Sequence, residues 1–297
     1  MGHWKLTLSY CGTPFHGWQV QPGLDTVQGR LADAVRRMTG ESVLPQGSGR
    51  TDAGVHALAQ VASFTLAAEI PPANLQRALN QLLPPSVRID RAELAPPDFH
   101  ARHSARRKTY EYRVFPRQGE GKQGSGQLER ICSPFLAPVV WDCRWPLCLG
   151  ALQSASRAVL GTHDFSAMAA SARLQPGVLA SAGELRAQEV NPVKTIFQSE
   201  WSWNQELLIY RVCGSGFLHH MVRNLVGTMV DIGRGSLQPE DMARILASRD
   251  RTQAGPTAPA SGLFLVEVDY AEPASSAEPA SAASELGERP VMAGVIS

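Results

Sequence analysis

Asp52 stands in a run of small and polar residues, Gly47 to His56, that also holds Arg50. Gly47, Gly49 and Gly54 would let this segment turn tightly and let a ligand approach the backbone. A carboxylate held there could act as a nucleophile or a base, or it could simply form the turn by capping backbone amides. Arg223 falls where Met221, Val222, Leu225, Val226 and Met229 would form the apolar side of a helix beginning near Phe217. His219 and Arg223 would share the polar side of that helix, one turn apart. By itself such an arginine reads as a surface residue that could touch a phosphate. Tyr110 and Tyr112 read by themselves as ordinary core aromatics on a strand.

Other candidates carry less. The pairs His100/His103 and His219/His220 invite a metal reading, but adjacent histidines do not readily aim at one ion, and no further ligand follows at a metal spacing. No metal is expected. His163, Asp164 and Ser166 lack the context of a nucleophile elbow, so capping is the simpler role for Asp164. The five cysteines, Cys11, Cys132, Cys143, Cys148 and Cys213, are odd in number and contain no C-x-x-C pair. Neither a disulfide framework nor a zinc site is suggested.

The elements that must position these residues can be read from periodicity. Trp4, Leu6, Leu8 and Tyr10 alternate with Lys5, Thr7 and Ser9, a strand pattern. Thr26 caps a helix carrying Val27, Leu31, Ala34, Val35 and Met38, with Gly40 as its stop. A strand through Val61–Leu66 and a helix after Pro71-Pro72, using Leu75, Ala78, Leu79 and Leu82, follow. The pattern restarts with a strand at Tyr110, Tyr112 and Val114, broken by a Gly-rich segment at 119–126. A helix around Leu147–Leu160, a mobile connection at 169–190, strands at Val193–Trp203 and Leu207–Val212, and a helix at 217–232 come next. A short helix opened by Pro239 and a strand at Leu263–Tyr270 complete the series. The expected fold is α+β, two RRM/ferredoxin-like halves forming a mixed central sheet with a cleft. The expected domains are 1–104, carrying the Asp52 loop, and 105–270, with a disordered Ala/Ser/Glu/Pro-rich tail at 271–297.

With 43% hydrophobic and 19% charged residues, the 297-residue chain has the make-up of a soluble globular protein. No apolar stretch is long enough to span a bilayer and the N-terminus does not resemble a secretory signal, so a cytoplasmic protein without a membrane partner is expected. The net charge of +1 hides an asymmetry: residues 271–297 hold four Glu and one Arg, leaving residues 1–270 at +4. Arg102, Arg106, Arg107, Lys108, Arg113 and Arg117 cluster, opposed only by Glu111. Such a cluster could neutralise RNA phosphates or be a solvated basic face.

The run Gly49-Arg50-Thr51-Asp52-Ala53-Gly54-Val55-His56-Ala57 resembles the catalytic motif of the bacterial TruA family of tRNA pseudouridine synthases. Six further blocks in family order strengthen the resemblance: Gly12–Gln19 with Thr26–Gln28, Asp98–Arg102, Lys108–Tyr112, Gly161–Ser166 with Pro192–Ile196, Phe217–Asn224 and Gly262–Leu265. The resemblance implies isomerisation of uridine to pseudouridine in the anticodon stem-loop of tRNA, at positions 38, 39 and 40, by a homodimer that needs no cofactor. It implies Asp52 as nucleophile, Arg223 as its ion-pair partner and Tyr110 stacked on the target base. Arg50 would engage the RNA and Leu263 would wall the pocket. Phe15 stands where the family commonly has tyrosine, and segments 116–148 and 169–190 depart from its pattern. Two other readings are weaker. A non-catalytic RNA-binding protein would call for an RNP-type aromatic motif, and a hydrolase using Asp52 and His56 leaves the basic cluster unexplained.

Overall fold

In the computed structural model, which describes residues 1–118, 130–170 and 191–270, the alternation at the N-terminus forms β1 (Gly2–Tyr10), with Trp4, Leu6, Leu8 and Tyr10 all buried. Helix α1 (Val27–Thr39) begins where Thr26 Oγ1 accepts from the Gly29 amide at 3.3 Å and ends at Gly40, which takes the left-handed φ of 77°. The chain continues through β2 (Gln46–Gly47), β3 (His56–Leu66), α2 (Pro72–Leu82) and β4 (Val87–Leu94). Then come β5 (Ala105–Pro116), β6 (Trp141–Cys143), α3 (Leu149–Arg157), β7 (Gly161–Asp164), β8 (Val193–Asn204) and β9 (Leu207–Gly214). Helices α4 (Met221–Gly233) and α5 (Asp241–Ser248) precede the last strand, β10 (Leu263–Tyr270).

The strands join one sheet in the order β4-β1-β3-β10-β5-β9-β8-β7, with β2 beside β3 and β6 beside β5. β10 runs parallel to β3, pairing Phe264 with His56, and antiparallel to β5, pairing Leu265 with Tyr110. The sheet is therefore mixed and the fold is α+β, the class the sequence predicts. The position of β10 matters most for function. The last strand lies between strands of the first 104 residues and those that follow, so the Asp52 loop and Tyr110 are brought to the two strands that flank β10. One apolar cluster runs through both parts, from Trp4, Leu31 and Leu79 to Tyr112, Trp201, Leu225 and Met229.

Several boundaries differ from the sequence reading. β3 begins at His56, not Val61, because its first residues pair with β10 as well as β1. β5 extends from Ala105 to Pro116, well beyond the alternation at 110–114. Strands β2, β6 and β7 are too short to carry a visible period. α4 starts at Met221, not Phe217, since His220 adopts a left-handed conformation (φ 62°) that no helical residue takes. His219 is therefore off the helix, and its expected one-turn pairing with Arg223 gives way to a different geometry. Residues 119–126, 171–190 and 271–297, expected as a Gly-rich break, a mobile connection and a disordered tail, lie outside the described residues. Among the described residues no helix is long and apolar enough to cross a membrane.

Candidate active site

The loop that leads into β3 is fixed from three sides. Its own turn closes where the Val55 amide donates to the Asp52 carbonyl at 3.1 Å, with Gly54 at a φ of 78°. The segment 12–18 frames it: Trp18 N donates to Thr51 O at 3.0 Å, Gly54 N to Phe15 O at 3.3 Å, and Gly12 N to His56 Nδ1 at 3.0 Å. Gly17 has a φ of 87°, and a Cβ there would lie 2.6 Å from the Thr51 carbonyl oxygen, so this close approach requires glycine. Beneath the loop, Tyr10 Oη meets Thr51 Oγ1 at 2.9 Å, and the buried Gln60 receives Ser48 Oγ at 2.6 Å and donates to Gly49 O at 3.0 Å. Burial pushes the Tyr10 phenol up to about 12, so it stays a neutral hydrogen-bonding group. Lys108 Nζ donates to the Ser48 carbonyl from β5. Burial, with Arg102 and Lys194 nearby, lowers this ammonium to about 8.

Asp52 sits at the edge of this loop with 18% of its side chain exposed, and three cationic or proton-bearing side chains converge on it. Arg223 Nη1 donates to Oδ2 at 2.9 Å. His219 Nε2 lies 3.4 Å from Oδ1 and His220 Nε2 lies 3.4 Å from Oδ2. Burial alone would raise the carboxyl pKa; the contacts from His219, His220 and Arg223 together outweigh it and hold Asp52 below the ordinary carboxylate value. The bond to Asp52 raises His219, whereas burial lowers His220 in spite of the same carboxylate. The centre thus holds an ionised carboxylate near neutral pH.

Arg223 owes its aim to backbone contacts as much as to charge. Its Nε donates to Ala258 O at 2.8 Å, and the Ala258 amide returns a bond to Arg223 O at 3.1 Å. The loop bearing Ala258 can reach α4 because Gly227 has no side chain: a Cβ there would overlap the Pro256 carbonyl. The buried Asn224 adds a second tie, accepting from Thr257 Oγ1 at 2.6 Å and donating to Met168 O at 2.8 Å.

The remaining sequence-predicted residues stand at varying distances from this centre. Tyr110 is buried on β5, its ring in an edge-to-face contact with Phe217 at 5.0 Å between ring centres. Burial, the neighbouring Tyr10 and the Asp52 charge all raise its phenol, so it remains protonated. Leu263 is buried at the start of β10 opposite Tyr112, and from the turn just before it Ala260 packs against Gly54 of the Asp52 loop. Arg50 is exposed, makes no ion pair among the described residues and has Arg102 as a like-charged neighbour. The basic cluster divides. Arg113 pairs with Glu111 and lies over the Phe264 ring, and Arg117 pairs with Asp142, while Arg102, Arg106 and Arg107 are exposed. Asp164 caps a 3-10 turn by accepting from the Ser166 amide and hydroxyl.

His219, His220, Lys108 and Phe217 are neighbours of the site that sequence reasoning did not assign to it. With His220 left-handed, the adjacent histidines both face the Asp52 carboxylate, their ring centres 3.9 Å apart. A sequence signal existed in the position of His219-His220 just ahead of Arg223, inside a block already matched as a unit.

An ionised aspartate, steered by an arginine and set beside a buried tyrosine, is equipped for nucleophilic or proton-transfer chemistry on a ligand lying across the sheet. Comparisons with known proteins narrow that class. The family profile described as tRNA pseudouridine synthase matches residues 7–104 and 155–271. A protein named tRNA pseudouridine synthase A from Solibacter usitatus is 46% identical over 266 residues, covering 90% of this chain and 98% of its own length. Proteins of the same name from Maridesulfovibrio salexigens (43%, 90% of each chain) and Rhodospirillum centenum (40%, 91% of this chain and 100% of the relative) are similar to it as well. The chain belongs to the tRNA pseudouridine synthase family.

Proposed function

We propose that this protein converts uridine to pseudouridine in the anticodon stem-loop of tRNA, at positions 38, 39 and 40, with Asp52 as the nucleophile. The reaction breaks the bond between ribose C1′ and uracil N1, turns the base and joins C1′ to C5. The C5 proton leaves and N1 acquires one, so atoms balance with nothing added and no electrons exchanged. A cofactor is not called for. The observation that carries the reading is the ionised Asp52 carboxylate held 2.9 Å from Arg223 on a rigid loop. Charge on the carboxylate suits attack on the sugar or base, and the arginine keeps that charge and fixes its direction.

Tyr110 supplies an aromatic face for the flipped uracil and, with Phe217 and the buried Leu263, an apolar wall that limits water. Arg50 and Arg102, exposed and close enough to repel one another, suit phosphates flanking the target nucleotide. Such contacts read backbone and shape rather than base sequence, which accommodates neighbouring uridines as targets. In this reading the enzyme is a cytoplasmic homodimer that holds its tRNA across both subunits. The test is to incubate the purified protein with unmodified tRNA transcripts and map pseudouridine at single-nucleotide resolution. Modification confined to positions 38, 39 and 40 is expected. Modification elsewhere, or none, refutes the substrate assignment, and sedimentation of the free protein tests the dimer.

A further inference from the structure

We propose that Asp52, His219 and His220 also form a binding site for a borderline-soft divalent ion, Zn2+ foremost, and that its occupancy withdraws Asp52 from reaction. One carboxylate oxygen and one ring nitrogen from each histidine lie within 4.8 Å of one another. His219 Nε2 stands 3.4 Å from Oδ1 and His220 Nε2 stands 3.4 Å from Oδ2. In a tetrahedral zinc site with bonds of about 2.0–2.2 Å, ligand atoms are spaced about 3.3–3.6 Å apart. Each histidine nitrogen therefore lies one such edge from its own carboxylate oxygen, and the three donors must draw in from within 4.8 Å to close on one ion. Two imidazoles and one carboxylate favour Zn2+ and its transition-metal neighbours over Mg2+ or Ca2+, which prefer oxygen alone.

Two further features shape the site. His219 is 66% exposed, so an ion can enter from its side and keep a fourth position for water. Arg223 holds the carboxylate through Oδ2, the oxygen that His220 also faces, which leaves Oδ1 on the His219 side to meet the metal, and a second bond to a ligating carboxylate is the common outer arrangement around zinc. The guanidinium also repels a cation, so binding should be weakened and reversible. The left-handed His220 is what allows adjacent histidines to share one target. The inhibitory half of the proposal rests on Asp52 as nucleophile; the binding half does not.

The test is Zn2+ titration of the full chain by calorimetry without RNA, for the wild type and for Asp52→Asn, His219→Ala and His220→Asn. Asparagine tolerates the left-handed backbone, and thermal melts check that each variant is folded. Each substitution is expected to weaken Zn2+ at least about tenfold, on the scale by which removing even supporting groups weakens metal sites. All five cysteines remain in every variant, so a thiolate site would survive the substitutions. Equal affinity in all four proteins, or no binding by the wild type, overturns the proposal. In the tRNA assay, Zn2+ should block the wild type and a chelator restore it. Undiminished turnover with zinc bound overturns the inhibitory half. Asp52→Asn then locates the error: if it is inactive the fault lies in the inhibition argument, and if it is active the fault lies in the role given to Asp52.

Discussion

Replacing Arg223 by alanine removes the closest partner of the Asp52 carboxylate. The bond is 2.9 Å long and both side chains are mostly buried, with 15% and 18% of their surfaces exposed. A hydrogen bond to a charged group in such surroundings contributes about 1.5–3 kcal/mol. Each 1.36 kcal/mol is a factor of ten in rate, so kcat should fall roughly 10- to 160-fold. The pH profile should move as well. In the wild type, burial raises the Asp52 pKa and His219, His220 and Arg223 more than offset it, so the carboxylate is lost only as pH falls through a depressed pKa. Without Arg223 the balance shifts toward the protonated form, and the acid limb of the rate profile moves to higher pH. Single-turnover rates on a tRNA transcript across pH measure both effects. Arg223→Lys should recover part of the rate, because it restores charge without the Nε bond to Ala258. An unchanged kcat with a raised KM and an unmoved acid limb refutes the reasoning and makes Arg223 a phosphate contact.

Tyr110→Ala should cost about 1–3 kcal/mol of substrate stabilisation, the usual worth of base stacking, whereas Tyr110→Phe keeps the ring and most of the rate; equal losses in both would place the role on the hydroxyl. Gly227→Ala forces a Cβ into the Pro256 carbonyl and should destabilise the fold by about 1–3 kcal/mol, read as a lower urea midpoint; an unchanged midpoint would mean that the loop yields freely. Lys108 has a folded pKa of about 8 against 10.5 for the free side chain, so between these values the unfolded chain binds more protons. Wild-type stability relative to Lys108→Met should therefore rise from pH 8 to 10.5, and a flat difference in urea titrations would contradict the burial of this ammonium.

Much of this arrangement was legible in the residues. The strict alternation of β1, the Thr26 cap and the Gly40 stop mark elements whose local chemistry and tertiary packing agree. The glycines around Asp52 and the apolar helical face beside Arg223 fit structural roles on their own; the ordered family-like blocks that hold them are what single them out. What periodicity could not show was long-range. β10 is parallel to β3 although some two hundred residues separate them, and it is this pairing that carries the chain back to the Asp52 loop. The left-handed His220 was equally hidden, because a single φ value leaves no trace in a hydrophobic pattern, yet it turns two adjacent histidines onto one acid. Arg113 and Arg117 belonged by sequence to a basic cluster open to phosphate or to solvent, but Glu111 and Asp142 engage them, the second across a strand pairing that joins distant segments.

The central claim is that the Asp52 carboxylate performs the chemistry. The most direct measurement is pseudouridine formation in an unmodified tRNA transcript by purified Asp52→Asn and Asp52→Ala, with RNA affinity measured in parallel. The expected result is no detectable product from either variant, with tRNA bound nearly as tightly as by the wild type. Product at the wild-type rate from either variant would contradict it.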